Sequence, residues 1–547
     1  MALPQPLGFR FPAILPLTLG TLLCLISLLR YLLWYPLSAN ADVGWYLVCA
    51  ERLLAGGLPF IDYVEFNLPT IVYVNIPPVL LAHGLGVNPI PVYLLSVWVG
   101  LAVSVAVTRR LLAAALGESC PWCAPALALA LAAEHLWVFT WLGEFGQREH
   151  VFVIGFLPYA TLRLNRMTAT TTVGPSGAWI LGAVGALAAC LKPQFFLILL
   201  ALEGLGWLWG PRRGWWWQPE FKAVVLTGLG FAAHVLLYPP VVLETYLGVW
   251  APVMFAGYRI WESGWLDITG PSARLALAVL IPGLLSAWIW RRRAEGRAAG
   301  VLTVILAGGL FSYYVQAKGF GYHQIPYRFA TGLLGALVLG GWAGNRRMAV
   351  LLALIPTRWR TAGLTVVVLT LGGMLALHLV KIPSDLARLA TDAPLEALMA
   401  REPLAREIHN ASPVGGQVLF LNAVMQPTYP IVLQVGRRPA SVFAGYFPVV
   451  TAYHGRAPAA PGQPFPFNAP GERPTAEQFM LNDLERLIRN RIPDLIMVPR
   501  QPNCPLCAKG LDLLAYWRHV GLLELISQGY QETLGAEFRH FTRRPDS

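Results

Sequence analysis

Between residues 11 and 380, apolar runs of roughly 17 to 25 residues recur, punctuated by arginine clusters. Wound as an α-helix, a run of that length matches the hydrocarbon core of a bilayer. No other feature constrains the fold as strongly. The clusters are Arg109-Arg110, Arg163 with Arg166, Arg212-Arg213, Arg291-Arg292-Arg293, Arg346-Arg347, and Arg358 with Arg360. Composition agrees: 56% of the 547 residues are hydrophobic and 13% are charged, roughly half the charged fraction of a soluble protein. From residue 381 onward the chain is rich in Pro, Arg, Glu and Gln and contains no spanning run. The expected fold class is a polytopic α-helical membrane domain, 1–380, followed by a small α/β soluble domain, 381–547.

The net charge of +12 would suit a nucleic-acid binder only if it formed a basic stripe interleaved with aromatics, and none is present. The basic residues instead sit at the ends of apolar runs, the positive-inside pattern of cytoplasmic loops. Threading the chain by that rule gives about eleven spans, at 11–36, 90–108, 123–142, 150–163, 177–191, 193–210, 221–242, 272–290, 299–315, 329–344 and 361–380. The first is read as a retained helix rather than a signal peptide. The segment 70–86 is read as interfacial and broken at Pro77-Pro78, because a crossing there would carry Arg109-Arg110 to the wrong side. Residues 348–356 are too short to span and are placed at the inner surface. The soluble domain then falls outside the cytoplasm, and the protein sits in a bacterial inner membrane.

Seven cysteines are too few for a disulfide scaffold. Cys120-Pro-Trp-Cys123 is read as an ordinary pair in a cytoplasmic loop, and Cys504-Pro-Leu-Cys507 as a local disulfide in the soluble domain. In that domain "GQVLFLN" (416–422) and "PDLIMVPR" (493–500) read as buried strands. The stretch 475–491 reads as a helix capped by Thr475, and 457–474 as a loop.

Once threaded, the unusual charged and polar residues gather on one membrane face: Asp42, Asp62, Glu65, Glu144, Arg148, Glu149, His150, Lys192, Arg259, Lys318, Tyr322, His323 and Arg328. Polar groups at membrane depth are costly, so such a gathering marks a functional site. Asn40 can cap a helix starting near Ala41 and Gly56-Gly57 can end it. Asp42 at the start of that helix is well placed as a general base, with a solvated capping acid as the bland alternative. "FGQREH" at 145–150 reads as a solvated rim at a helix mouth. "QAKGFGYHQIPYR" (316–328) offers Lys318, Tyr322, His323 and Arg328 in one Gly-containing loop suited to a phosphate. Lys192 lies in an otherwise apolar hairpin, where the bland reading has it snorkel. Glu134 and His135 are expected to satisfy each other inside the bundle. No Asp-x-Asp or His-x-x-His pair stands on the outer face, so neither metal nor cofactor is expected.

"NADVGWY", followed by "GGLPFIDYVEFNLPTIVYVNIPPVLLAHGLG", resembles the first outside loop of the GT-C superfamily of membrane glycosyltransferases. The families nearest in pattern are the protein O-mannosyltransferases and the aminoarabinose transferases. The "LKPQ" hairpin resembles a similarly placed Lys in those families. Val43 and Leu68-Pro69 stand where they often carry a second acid and a Pro-Pro pair. The resemblance implies a polyprenyl-phosphate-linked sugar donor, inversion at the sugar carbon, and transfer to an acceptor hydroxyl at the outer face. It further implies Asp42 as base and Lys192, Lys318, His323 and Arg328 as holders of the leaving phosphate. Asp62, Glu65, Glu144, Arg148, Glu149, His150 and Tyr322 would form an acceptor or secondary site.

Two other classes compete. A transporter or flippase for lipid-linked sugars would carry its charges near the bilayer midplane and show fold repeats. A non-catalytic assembly subunit would bind through its soluble domain.

Overall fold

The computed structural model describes residues 10–117, 119–170, 173–211, 214–260, 262–343, 356–458, 460, 463–500 and 511–544. Arg212, Arg213, Arg346, Arg347, Cys504, Cys507, the inner-surface segment through residue 355 and the side chain of Arg259 lie outside the described residues. The chain forms two compact units. One comprises Met1–Tyr35, Leu94–Leu236 and Ser263–Ala390, the other Pro36–Tyr93, Leu237–Glu262 and Thr391–Ser547.

With helices numbered along the whole chain, the first unit holds α1 (Arg10–Trp34), most of α4 (Pro89–Leu116), α5 (Cys123–Trp137), α6 (Arg148–Thr168), α7 (Pro175–Ala189), α8 (Pro193–Trp209) and α9 (Pro219–Leu236). It continues with α12 (Trp265–Ile268), α13 (Pro271–Ile289), α14 (Ala294–Gln316), α15 (Ile325–Ala343) and α16 (Thr357–Leu389). Each expected span coincides with one of these helices. Among the described residues seven helices are long and apolar enough to cross a membrane, and α7 and α8 are shorter apolar helices. The protein is a multi-pass membrane protein. One of the seven, Pro240–Gly257, was expected in an outside loop. Its Trp250 is buried in the core of the second unit.

Small residues let these helices approach closely, as membrane helix pairs require. On α7, a Cβ at Gly182 would lie 2.3 Å from the Glu220 carbonyl oxygen of α9, and one at Gly185 would lie 2.6 Å from the Tyr159 side chain of α6. Proline at the first position of α8 allows the chain to turn directly after Lys192.

The close approach of α6, α8 and α9 encloses an ionic network. Arg163 is wholly buried. Its Nε and Nη2 donate to Glu203 at 2.9 and 2.6 Å, and its Nη1 donates to Glu220 at 2.8 Å. Arg166 donates to the same Glu220 at 2.9 and 3.0 Å. The Tyr159 hydroxyl and the Trp215 indole N–H donate to Glu203 at 2.5 and 3.1 Å. The Trp215 ring lies 3.7 Å beneath the guanidinium. Arginines read as loop charges thus serve partly as the internal counter-ions of two buried acids.

In the second unit lie α2 (Ala41–Leu54), α3 (Thr70–Leu85), α10 (Pro240–Thr245), α11 (Ala251–Ile260), α17 (Ala393–Arg401), α18 (Pro403–Ala411), α19 (Thr428–Gln434) and α20 (Phe447–Ala452). Three more helices follow: α21 (Thr475–Arg489), α22 (Leu513–His519) and α23 (Leu522–Gly529). They surround a mixed sheet of β1 (Gln417–Phe420), β2 (Arg438–Pro439), β3 (Leu495–Pro499), β4 (Tyr530–Leu534) and β5 (Phe538–Arg543), in the order β2-β1-β3-β5-β4. The two strands expected from sequence, β1 and β3, pair in parallel with Val418 opposite Leu495, and β5 runs antiparallel to β3. Parallel strands buried on both faces read as continuous apolar runs, which made them visible. The expected helix is α21, although Pro474 rather than Thr475 takes the cap position.

Two further expectations are corrected. The segment after residue 70 is not broken at Pro77-Pro78: α3 runs through both prolines and closes on Gly86, whose φ is +64°. The amide donors that the prolines lack leave carbonyls one turn back without helical partners but do not force a break. Cys120 and Cys123 are not an ordinary loop pair but a disulfide. The turn into α5 sets their Cα atoms 5.4 Å apart, within bridging range.

Replacing Arg163 with Met would leave Glu203 without its bidentate partner in the bundle. That should cost about 3–5 kcal/mol, the penalty for stranding a buried charge. Thermal unfolding of the detergent-solubilised protein should report it as a large fall in Tm, whereas Arg291→Met at an exposed cluster should leave Tm nearly unchanged.

Candidate functional site

The first outside loop lies in the second unit. Asn40 caps α2, its side chain accepting from the Asp42 amide at 2.8 Å. Capping is therefore done by Asn40, and Asp42 occupies the first turn, half-buried. α2 is packed against α19, where the Trp45 and Tyr429 rings meet edge to face at 5.4 Å. Gly44 faces Pro430, and a Cβ there would come within 3.2 Å of its Cα. Arg52 at the end of α2 donates to the carbonyls of Asp62, Pro439 and Ser441 at 3.0, 2.9 and 2.7 Å.

The other acids of the loop have local structural work. Asp62 accepts from the Leu58 amide at 2.7 Å. Glu65 accepts from the Asn67 amide at 2.7 Å and from the Asn67 side chain. Glu51, not among the expected site residues, faces His83 at 3.5 Å. Burial pushes its carboxyl above the usual range, and nearby His83 and arginines pull it back.

A second cluster lies in the first unit. "FGQREH" is not a solvated rim: Arg148, Glu149 and His150 are all buried in the opening turn of α6. The Gln147 side chain caps that turn by accepting from the Arg148 amide at 3.2 Å. Lys192 does not snorkel. It is buried and donates to Glu149, and at 2.9 Å to the Gln316 Oε1 at the end of α14. Gln316 is oriented by donating its amide to the Ser312 carbonyl at 2.7 Å. The His323 Nε2 stands 3.8 Å from the same Glu149 oxygen, and Lys192 lies 5.7 Å over the Tyr322 ring. Burial depresses the His323 pKa well below its ordinary value, and Lys192, Arg148 and Lys318 depress it further. Three cations thus act on this buried histidine, with Glu149 the acid in contact with Lys192.

Arg328 belongs to a different neighbourhood. It donates to Glu134 at 3.4 Å and stacks 3.1 Å over the Trp137 ring. Glu134 and His135 do not satisfy each other. Successive residues on α5 point in different directions, so Glu134 meets Arg328 while His135 meets the His150 ring at 2.7 Å. His150 in turn accepts at Nδ1 from the Gly146 amide at 3.1 Å. Glu144 closes this turn through its carbonyl, which accepts from the Gln147 amide.

Sequence reasoning joined Lys192 and His323 in one phosphate site but placed Glu149 in a separate acceptor site, and it missed Gln316. The one signal for Gln316 was its place at the start of the loop "QAKGFGYHQIPYR". Among the described residues no group of His, Cys, Asp and Glu has the arrangement of a metal site.

The fold is ArnT-like. The crystal structure of apo ArnT from Cupriavidus metallidurans matches with a TM-score of 0.52 at 12% identity. The match covers 94% of this chain and 97% of ArnT. ArnT bound to undecaprenyl phosphate matches over the same shares at 10% identity, with a TM-score of 0.49. No family model and no curated protein matches the chain.

Because the folded pKa of His323 lies below the unfolded value, the unfolded chain takes up a proton near pH 6.5 that the native site refuses. Stability should therefore be fully held above about pH 6.5 and fall as the pH drops below it. Melting curves between about pH 5 and 8 should show this fall, and His323→Gln should make it shallower.

Proposed function

We propose that the protein is an inverting glycosyltransferase that moves a sugar from a polyprenyl-phosphate donor to an acceptor hydroxyl at the outer face of a bacterial inner membrane. One observation carries the reading: Lys192, Arg148 and Lys318 all act electrostatically on the buried His323, and Lys192 is held by Glu149. Cations fixed together suit a phosphate, and a lipid-linked sugar is a phosphodiester whose leaving group is the polyprenyl phosphate. The shared fold with a GT-C glycosyltransferase supports the reaction class.

In this reading the acceptor oxygen attacks the anomeric carbon as the bond to phosphate breaks, and the electron pair leaves with the polyprenyl phosphate. Fixed cations stabilise the developing charge without reorganising, which is the most effective form of electrostatic catalysis. Asp42 takes the hydroxyl proton. Its seat on α2 is rigid, since that helix is packed against α19 and Arg52 clamps its end. Arg328, paired with Glu134, has a smaller share in phosphate binding than the loop cations.

Asp42→Asn keeps size and hydrogen bonding but removes the proton acceptor. Transfer of labelled sugar by the purified protein should fall by about 10²–10⁴-fold, with binding of the lipid donor retained. Lys318→Ala should weaken donor binding as well as turnover. Near-normal turnover in Asp42→Asn would move the base to another acid. Added protease should cleave residues 391–544 in intact spheroplasts, and cleavage only in inverted vesicles would reverse the orientation.

A further inference from the structure

Two buried groups of the cation cluster are unused. Glu149 is 1% exposed and His323 3%. Glu149 spends its Oε1 on Lys192, and its Oε2 has no hydrogen-bond partner among the described residues. The Nδ1 of His323 likewise has none. With Nε2 facing the Glu149 Oε1 at 3.8 Å, the single proton of the neutral imidazole belongs on Nε2, which leaves Nδ1 as an acceptor. The site therefore holds two unmet acceptors beside its cations. A phosphate cannot satisfy them, because its oxygens are acceptors too. They call for hydrogen-bond donors on the same ligand.

Resting on the phosphate reading above, we propose that Glu149 and His323 read the donor sugar. Glu149 Oε2 and His323 Nδ1 accept from hydroxyl or amino groups of the sugar while Lys192, Arg148 and Lys318 bind its phosphate. The Glu149 carboxylate then has two tasks on separate oxygens: Oε1 holds Lys192 in place and Oε2 recognises the sugar. A site with buried acceptors of this kind rejects a ligand lacking the donors, because those acceptors stay unsatisfied. Bare polyprenyl phosphate, the product lipid, lacks them. The pair thus favours binding of the loaded donor over retention of the spent carrier.

The test compares two kinds of ligand on the full-length protein in detergent: farnesyl phosphate, and farnesyl phosphate esters of mannose, glucose and 4-aminoarabinose. The wild type should bind at least one ester about tenfold or more tightly than the bare phosphate. Glu149→Gln and His323→Ala should erase that advantage. Both should weaken binding of the esters more than that of bare farnesyl phosphate, and in Glu149→Gln the amide oxygen can still accept from Lys192. If Glu149→Gln fails to fold, His323→Ala carries the test, since it leaves the Lys192 ion pair in place. Loss of the ester advantage in a folded variant supports the proposal. Retention in both variants, equal weakening of both ligand kinds, or a wild type that prefers no ester overturns it. A separate arm guards the underlying reading: if Lys318→Ala leaves bare-phosphate binding unchanged, the phosphate site itself is wrong, whatever the ester comparison shows.

Discussion

A charge buried away from water must find a partner, and this protein places its helices to meet that constraint. Arg163 lies at the junction of α6, α8 and α9 with a carboxylate from each of the latter two and an indole beneath it. The glycines of α7 make room for this meeting. Lys192 and Glu149 repeat the arrangement in a second buried cluster, where Gln316 takes another of the lysine's protons.

Much of the helical architecture was legible in the sequence because bilayer thickness fixes run length and arginines mark the ends. The spans at 123–142, 177–191 and 193–210 fall on α5, α7 and α8 for that reason. The break at Lys192-Pro193 was visible because a proline at a helix start has only one sensible placement. Pro77-Pro78 misled for a related reason: a proline inside an apolar run signals a break and a tolerated kink alike, and sequence cannot separate them. The disulfide at Cys120 was hidden because a C-x-x-C spacing fits a loop pair, a metal half-site or a bridge, and only the turn into α5 decides.

The candidate site was legible by residue type but not by pairing. Lys192, Glu149 and His323 stood out as polar groups in apolar surroundings, whereas their convergence depends on which faces of α6, α8 and the loop before α15 turn inward. Glu203 and Glu220 drew no attention, since one acid in an apolar run has no local partner to announce it. Their partner Arg163 had already been explained as a topological marker, and a residue with one good explanation conceals a second.

The seat of Asp42 has a consequence for how this chain could have come about. The buried side of α2 is covered by Tyr429 and Pro430, and its last turn is pinned by the carbonyls of Pro439 and Ser441. Those residues arrive nearly four hundred positions later in the chain. A ribosome that had released only the first 390 residues would have made an α2 with no cover on its apolar side and nothing to clamp its end. The C-terminal segment is therefore no appendage that can be cut away while the first loop keeps its packing. The acid at the head of α2 and the sheet-forming tail are held as one part.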